Sequence, residues 1–156
     1  MPVGAGADRR VREARTRPER VDTEAAIHVA AFRTALRSFL RTSEKIARQN
    51  GLTPQRHLLL LMIKGAPDGG ECATIGDLAE RLQLAQSTVT ELVKRAEDVG
   101  LVEREWSEDD ARVALLRLTP EGERRLANVF RNHEAQAERA KLREVLAELE
   151  LALGRG

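Results

Sequence analysis

The chain of 156 residues carries 26 basic and 25 acidic side chains, and its formal net charge is +1. Charged residues make up 33% of the chain and hydrophobic residues 42%, but aromatic residues only 3%, so we expect one helical domain with an aliphatic core. The single cysteine excludes an intrachain disulfide, and no apolar run reaches the length of a membrane span, which favours a protein of the reducing cytoplasm with no membrane partner.

Residues 1–21 contain six arginines alongside glycine and alanine, and they offer almost nothing that a core could bury. This composition predicts a flexible, Arg-rich N-terminal arm. Such an arm is either a solvated tail or a segment that contacts phosphate groups, and the sequence leaves both interpretations open.

Residues 22–51 predict one long helix, which begins at a cap formed by Asp22 or Thr23 and ends at Gly51. A surface helix needs one apolar face, whereas this helix has nearly two. We therefore expect a second subunit to bury the additional face, which makes this segment an N-terminal dimerisation helix.

Residues 52–119 form the unit that carries the functional predictions. Thr53 and Pro54 begin a helix that is apolar on all sides in its middle, which places it in the core. A short strand at residues 72–73 is expected to pair with a later hairpin.

Two short helices joined by a tight turn follow. The first is predicted at residues 75–82, behind a capping box of Thr74 and Asp77, and the second at about residues 86–99, where Gly100 ends it. Two β-rich runs then flank a polar tip at residues 107–112, a pattern that predicts a hairpin.

The second helix of this pair has the layout of a helix that reads DNA. Aliphatic residues fill its inner face, short hydroxyl and amide side chains crowd its first turn, and two cations follow. Small hydrogen-bonding groups allow close approach to base edges, and cations meet phosphates. The alternative is an ordinary solvated helix face. The predicted contact residues are Gln86, Ser87, Thr88, Thr90, Glu91, Lys94 and Arg95.

Residues 120–156 predict C-terminal dimerisation helices. Thr119 and Pro120 repeat the cap and start of the earlier core helix. Neither proline nor glycine interrupts residues 123–153, but a run this long exceeds a typical helix. We therefore expect a bend or break near Asn132 and His133, or an extended arm.

The segments LAERLQLAQSTVTELVKRAEDVGLVER, DDAR and LRLTPEG stand in an order and spacing that resembles the MarR family of winged helix-turn-helix regulators. The resemblance covers roughly residues 52–123. It implies a mainly α fold with a small β-hairpin wing (α+β), and a homodimer bound to double-stranded DNA at a pseudo-palindromic operator. The recognition helices would enter successive major grooves. Arg112 of the wing would enter the minor groove with its guanidinium held by Asp110, and Arg104 would add a further cation.

The resemblance also implies an effector pocket between the dimer helices and the winged unit, and it places His57 there. His57 is either a ligand-binding or pH-sensing group or a buried, hydrogen-bonded core histidine. Arg33 and Arg37 either supply charge to an effector carboxylate or form a solvated or interface row. The expected effector is an aromatic or carboxylate compound.

Three positions carry local expectations. Ala85 stands where the family usually has a capping serine or threonine, a loss that costs about 1 kcal/mol. Gln83 stands where glycine is common, and a positive φ there would carry strain. Trp106, at the base of the wing, is expected to be packed.

The sequence offers no catalytic triad, phosphate-binding glycine loop or carboxylate pair, and its three histidines are too scattered for a metal motif. We therefore expect neither an enzyme nor a bound metal or cofactor. The favoured function is a sequence-specific transcriptional repressor that a small-molecule effector releases from DNA. The alternative is a winged-helix module that binds another protein and no operator, which the acidic balance of the helix pair supports.

Overall fold

The computed structural model describes residues 20–110 and 112–154, so the predicted N-terminal arm lies outside the described residues up to residue 19. The described residues form six helices and two strands. These are α1 (Thr23–Gln49), α2 (Pro54–Lys64), α3 (Ile75–Leu82), α4 (Gln86–Asp98), β1 (Val102–Trp106), β2 (Ala114–Leu118), α5 (Pro120–Arg131) and α6 (His133–Leu153). The predicted class, mainly α with a small β-hairpin, is confirmed.

Side-chain caps begin five of the helices, because the first turn of a helix leaves backbone N–H groups without partners. The Thr74 hydroxyl accepts from the Asp77 N–H at 3.1 Å, and the Asp77 carboxylate accepts from the Thr74 N–H at 2.9 Å, which completes the predicted capping box. The other capping side chains are Asp22, Thr53, Thr119 and Asn132.

The core lies where α2 meets α3, α4 and the hairpin. Leu59, Leu60 and Ile63 of α2 are fully buried, and they belong to one apolar cluster with residues from every other element. The prediction that α2 lies in the core is confirmed, although its Leu58 side chain is exposed. α2 therefore has one solvent-facing edge, which borders α1.

The hairpin is antiparallel and pairs Val102 with Leu118 at its base and Trp106 with Ala114 near its tip. The predicted strand before α3 is a single bridge, in which Ala73 and Leu116 exchange two backbone hydrogen bonds of 3.1 and 2.8 Å. This bridge fixes the hairpin to the loop that precedes the helix pair.

The two long helices, α1 and α6, pack along each other. The chain breaks where the sequence predicted, because Asn132 is extended (ψ 128°) and its side-chain oxygen accepts from the N–H groups of Glu134 and Ala135. Apolar side chains remain exposed on both helices, among them Ile27 at 61% and Leu151 at 64%. No helix in the described ranges is both long enough and apolar enough to cross a bilayer.

Two glycine positions provide a test of the packing between α5 and the end of α4. An added Cβ at Gly122 would overlap the carbonyl oxygen of Leu101, whereas one at Gly76 would meet nothing closer than the Thr74 hydroxyl at 3.7 Å. Gly122→Ala should therefore lower the free energy of unfolding by about 1–3 kcal/mol. Gly76→Ala, the matched control, should raise it by roughly 0.5 kcal/mol through helix propensity. Urea unfolding at fixed protein concentration measures both, and equal stability of the two variants would contradict the account.

Candidate nucleic-acid interface

Helix α4 buries one face and exposes the other. Val89, Val93 and Ala96 are fully buried against the core, which forces the remaining side chains outwards. All seven residues predicted to contact DNA on this helix are exposed, namely Gln86, Ser87, Thr88, Thr90, Glu91, Lys94 and Arg95. The structure thus brings these side chains to one accessible surface.

The turn that leads into α4 contains the two residues, Gln83 and Ala85, that differ from those usual in the family. Gln83 adopts the left-handed conformation (φ 54°, ψ 43°), so the expected strain at a non-glycine residue is present. Ala85 is extended and supplies no side-chain hydrogen bond to the helix start. The first turn of α4 therefore presents backbone N–H groups without a side-chain cap, next to the exposed hydroxyls of Ser87 and Thr88.

The hairpin flanks α4 on one side and is tied to it by an ion pair. The Arg104 Nε donates to the Glu97 Oε1 at 2.7 Å, and the Arg104 Nη2 donates to Oε2 at 3.2 Å. Such a two-point contact fixes orientation as well as distance. Arg104 therefore holds the wing against the recognition helix, and its contact with DNA stays a prediction.

The polar tip of the wing differs in one contact from the expectation. The Asp110 carboxylate accepts from the backbone N–H of Arg112 at 2.9 Å, and no ion pair with the guanidinium is found in the described residues. The Ser107 hydroxyl accepts from the N–H groups of Asp109 and Asp110 at 3.3 and 3.4 Å. Asp110 thus shapes the turn by a local side-chain to backbone bond and leaves the exposed Arg112 side chain unconstrained.

Trp106 is not packed, contrary to expectation, and 61% of its surface is exposed. Its cross-strand partner is Ala114, whose methyl group is too small to cover an indole. Strand alternation puts Trp106 on the same side of the hairpin as Arg104 and Val102. This tryptophan is the only one in the chain, so its fluorescence reports on the wing alone.

One cation near this surface was missed by the sequence reasoning. Arg56, in the first turn of α2, lines a depression of about 120 Å³ together with Arg95 of α4. The two arginines are distant in the sequence, and Arg56 lies outside the recognition helix and the wing, so no local pattern indicated it. A search for cations in the first turns of neighbouring helices would have found it.

The candidate effector residues do not come together. His57 is 8% exposed and lines a cavity of about 70 Å³ between α1, α2, α5 and α6. Arg33 and Arg37 lie on α1 and do not line this cavity. The cation at the cavity is Arg139, whose guanidinium lies 4.7 Å from the Phe130 ring centre and donates to the Phe130 carbonyl at 2.6 Å.

The cavity also contains an acid that the sequence did not single out. The Oε2 atom of Glu138 is buried there and has no hydrogen-bond partner among the described residues. Burial, and then the positive charge of Arg139, lower the pKa of His57 below its ordinary value of 6.5. His57 is therefore mostly neutral at pH 7.

The known proteins that resemble this chain in sequence are transcriptional regulators. The sequence model of the MarR family matches residues 50–113. The chain is 34% identical over 107 residues to the HTH-type transcriptional regulator YsmB of Bacillus subtilis, a match that covers 66% of this chain and 70% of that relative.

Solved structures share the fold. Apo MarR from E. coli superposes with a TM-score of 0.62 at 21% identity, covering 88% of this chain and 98% of that one. A point mutant of MepR from S. aureus, solved bound to an oligodeoxyribonucleotide, superposes with a TM-score of 0.55 at 20% identity, covering 76% of this chain and 94% of that one.

Burial of His57 predicts a pH dependence of stability. Its pKa is lower in the folded than in the unfolded protein, so the unfolded state binds more protons and stability falls as pH drops through 6.5. The free energy of unfolding should therefore fall between about pH 7.5 and 5.5, and His57→Phe should remove part of that fall. His133→Gln, at the start of α6, is the control for loss of a histidine. Identical pH profiles for wild type and His57→Phe would contradict the assignment.

Proposed function

The chain belongs to the MarR family of transcriptional regulators, and from this premise we propose that it is a repressor that binds a pseudo-palindromic operator in double-stranded DNA as a homodimer. The observation that carries the proposal is the exposed face of α4. Ser87 and Thr88 present hydroxyls in its first turn, and Lys94 follows two turns later. Such a face suits base edges and phosphates in a major groove.

The wing supports the same proposal. It projects beside α4, where the ion pair between Arg104 and Glu97 fixes its position, and it carries Arg112 on an exposed tip. A guanidinium at this place suits the narrow minor groove that flanks a bound major groove. The MepR mutant, which shares the fold, was solved bound to an oligodeoxyribonucleotide, and that precedent supports DNA as the ligand.

The proposed homodimer would cover the apolar side chains that α1 and α6 leave exposed. These are Ile27, Val29, Leu40, Leu146, Leu151 and Leu153. An isolated chain would leave them in water, whereas a second copy would bury them at a gain of roughly 25 cal/mol per Å² of apolar surface. Two recognition helices would then present themselves to half-sites about one helical turn apart.

Release by a small-molecule effector is the second part of the proposal. The cavity at His57 has only about 70 Å³, and a groove of about 300 Å³ that shares Phe39, Ser43, His57 and Leu61 adjoins it. A cavity that takes benzene has about 150 Å³, so an aromatic effector would have to widen the site. Widening would move α1 and α6 against α2, and the effector would favour the widened state by its differential affinity.

The proposed site of action is the cytoplasm, since the operator would lie there. The alternative function, a module that binds protein and no operator, is favoured by two observations. Trp106 is exposed, and acidic side chains surround the wing tip at Glu108 and Asp109. The experiment on Arg112 separates this alternative from the operator proposal.

Substitutions on α4 should distinguish a side chain that reads bases from a side chain that anchors the helix to phosphates. With an operator selected from fragments of the source genome, Thr88→Ala should cost about 1–3 kcal/mol on the operator and little on random DNA. Lys94→Ala should weaken binding to both DNAs by the same factor and reduce the salt dependence. Fluorescence anisotropy of labelled DNA measures these affinities. Equal losses on operator and random DNA for both variants would show that the helix face is wrongly assigned.

The wing should contribute through Arg112. Arg112→Ala should lower operator affinity more on A·T-rich than on G·C-rich flanks, because a narrow minor groove concentrates negative potential. Thermal stability should stay within about 0.5 kcal/mol of the wild type, since the tip is exposed. Should the protein bind no genomic fragment while Arg112→Ala abolishes capture of a protein partner, the interaction-module alternative would replace the operator proposal.

A further inference from the structure

We propose that Arg56 and Arg95 together form a clamp for one phosphate of the DNA backbone, on the edge of α4 that faces away from the wing. The proposal rests on the proposed DNA-binding function and adds to it a second anchoring point with a stated ligand. Arg56 comes from α2 and Arg95 from α4, so the clamp joins the core helix to the recognition helix.

The cations of this unit divide into those that hold the fold and those that are available to a ligand. Residues 52–119 contain eight lysines and arginines. Four of them are held by carboxylates or carbonyls within the fold: Lys64, Arg81, Arg104 and Arg117. The other four make no ion pair or side-chain hydrogen bond with the described residues: Arg56, Lys94, Arg95 and Arg112.

Three of these four available cations were expected at a DNA surface, and Arg56 is the addition. Acids of the fold neutralise cations that brace loops and strands, while the remaining cations lie at the exposed side of α4, the wing tip and the start of α2.

The walls of the clamp carry positive charge and no acid. Arg56 and Arg95 line one depression of about 120 Å³, whose other lining residues are Thr53, Gln55 and Leu92. None of these five residues is acidic, so two positive charges share the depression without a counter-ion on its walls. Like charges repel in the free protein, and a bound anion would remove that repulsion. The nearest acids to Arg95 by helical spacing are Glu91 and Asp98, about one turn before and after it, and neither makes an ion pair in the described residues.

The depression lies on the edge of α4 opposite the wing. With about 3.6 residues per turn, Glu97 and Arg95 lie on opposite edges of the exposed face of α4, and Ser87, Glu91 and Lys94 lie between them. The wing is fixed to the Glu97 edge through Arg104. A helix in a major groove is bordered by a phosphate backbone on each side. The wing would meet one backbone, and the depression at Arg56 and Arg95 would meet the other.

In this position the clamp would fix the orientation of α4 in the groove, which contacts from α4 alone would not do. Phosphate contacts position a protein on the duplex but carry no direct sequence information. Contacts on both borders of the groove would fix how far α4 rotates about its own axis, and thereby which side chains reach base edges. Because Arg56 belongs to the buried helix α2, its contact would couple the core to the DNA without a flexible linker.

The experiment measures operator affinity as a function of salt for the wild type and for Arg56→Ala, Arg56→Lys and Arg95→Ala. Loss of the whole phosphate contact would reduce the slope of log K against log salt by about 0.9 for each protomer, equivalent to about eightfold at roughly 0.1 M salt, and each single substitution to alanine should give a clear part of that reduction. Operator and random DNA should lose the same factor. Arg56→Lys should keep most of the slope. Arg143→Ala, an exposed cation on α6, is the control and should change nothing.

A second arm identifies the phosphate by changing the DNA, and its scan of positions uses the wild-type protein. Each backbone phosphate of one half-site is replaced in turn by a neutral methylphosphonate. One position should cost at least as much affinity as Arg56→Ala, and combining that DNA with Arg56→Ala should cost less than the sum of the two separate losses.

The proposal is overturned if the wild type binds its operator while Arg56→Ala leaves affinity and salt slope unchanged, or if no methylphosphonate position is non-additive with Arg56→Ala. Failure of the wild type to bind any DNA would be a different result. It would overturn the proposed function itself, and the clamp with it.

Discussion

Burial of the inner face of α4 is the constraint on which the functional surface depends. Val89, Val93 and Ala96 are fully excluded from solvent by the cluster that surrounds α2. α4 cannot rotate about its axis without exposing this face, and exposing each of its two buried valines would cost roughly 1.5–3 kcal/mol. The apolar core therefore sets the direction in which Ser87, Thr88 and Lys94 point, although none of the core residues would touch DNA.

Ion pairs fix the orientation of elements that the apolar packing has placed. Arg104 and Glu97 hold the wing against α4, and Lys64 bridges Glu71 and Glu123 between the loop after α2 and the start of α5. These pairs are partly exposed, so their value lies in orientation more than in stability. The cations in these pairs are occupied within the fold. Only a small set of other cations is therefore available at the surface proposed for DNA.

The sequence predicted most of the fold because its signals are local. Capping residues such as Thr74 and Thr119 mark helix starts, and the positive φ of Gln83 follows from the turn that the helix pair requires. Contacts between distant segments were harder. The pairing of Arg104 with Glu97, the neighbourhood of Arg56 and Arg95, and the presence of Glu138 beside His57 depend on tertiary packing that no spacing reveals. Trp106 was misassigned because its exposure depends on the small size of Ala114 across the strand.

In the proposed complex, two copies of this chain place two recognition helices on one face of an operator. Hydroxyl-radical footprinting of the full chain on a fragment selected from its own genome tests this most directly. The account predicts symmetric protection, with two half-sites whose centres lie about 10–10.5 base pairs apart. Protection of a single half-site, or selection that retains no fragment above the level of random DNA, would contradict it.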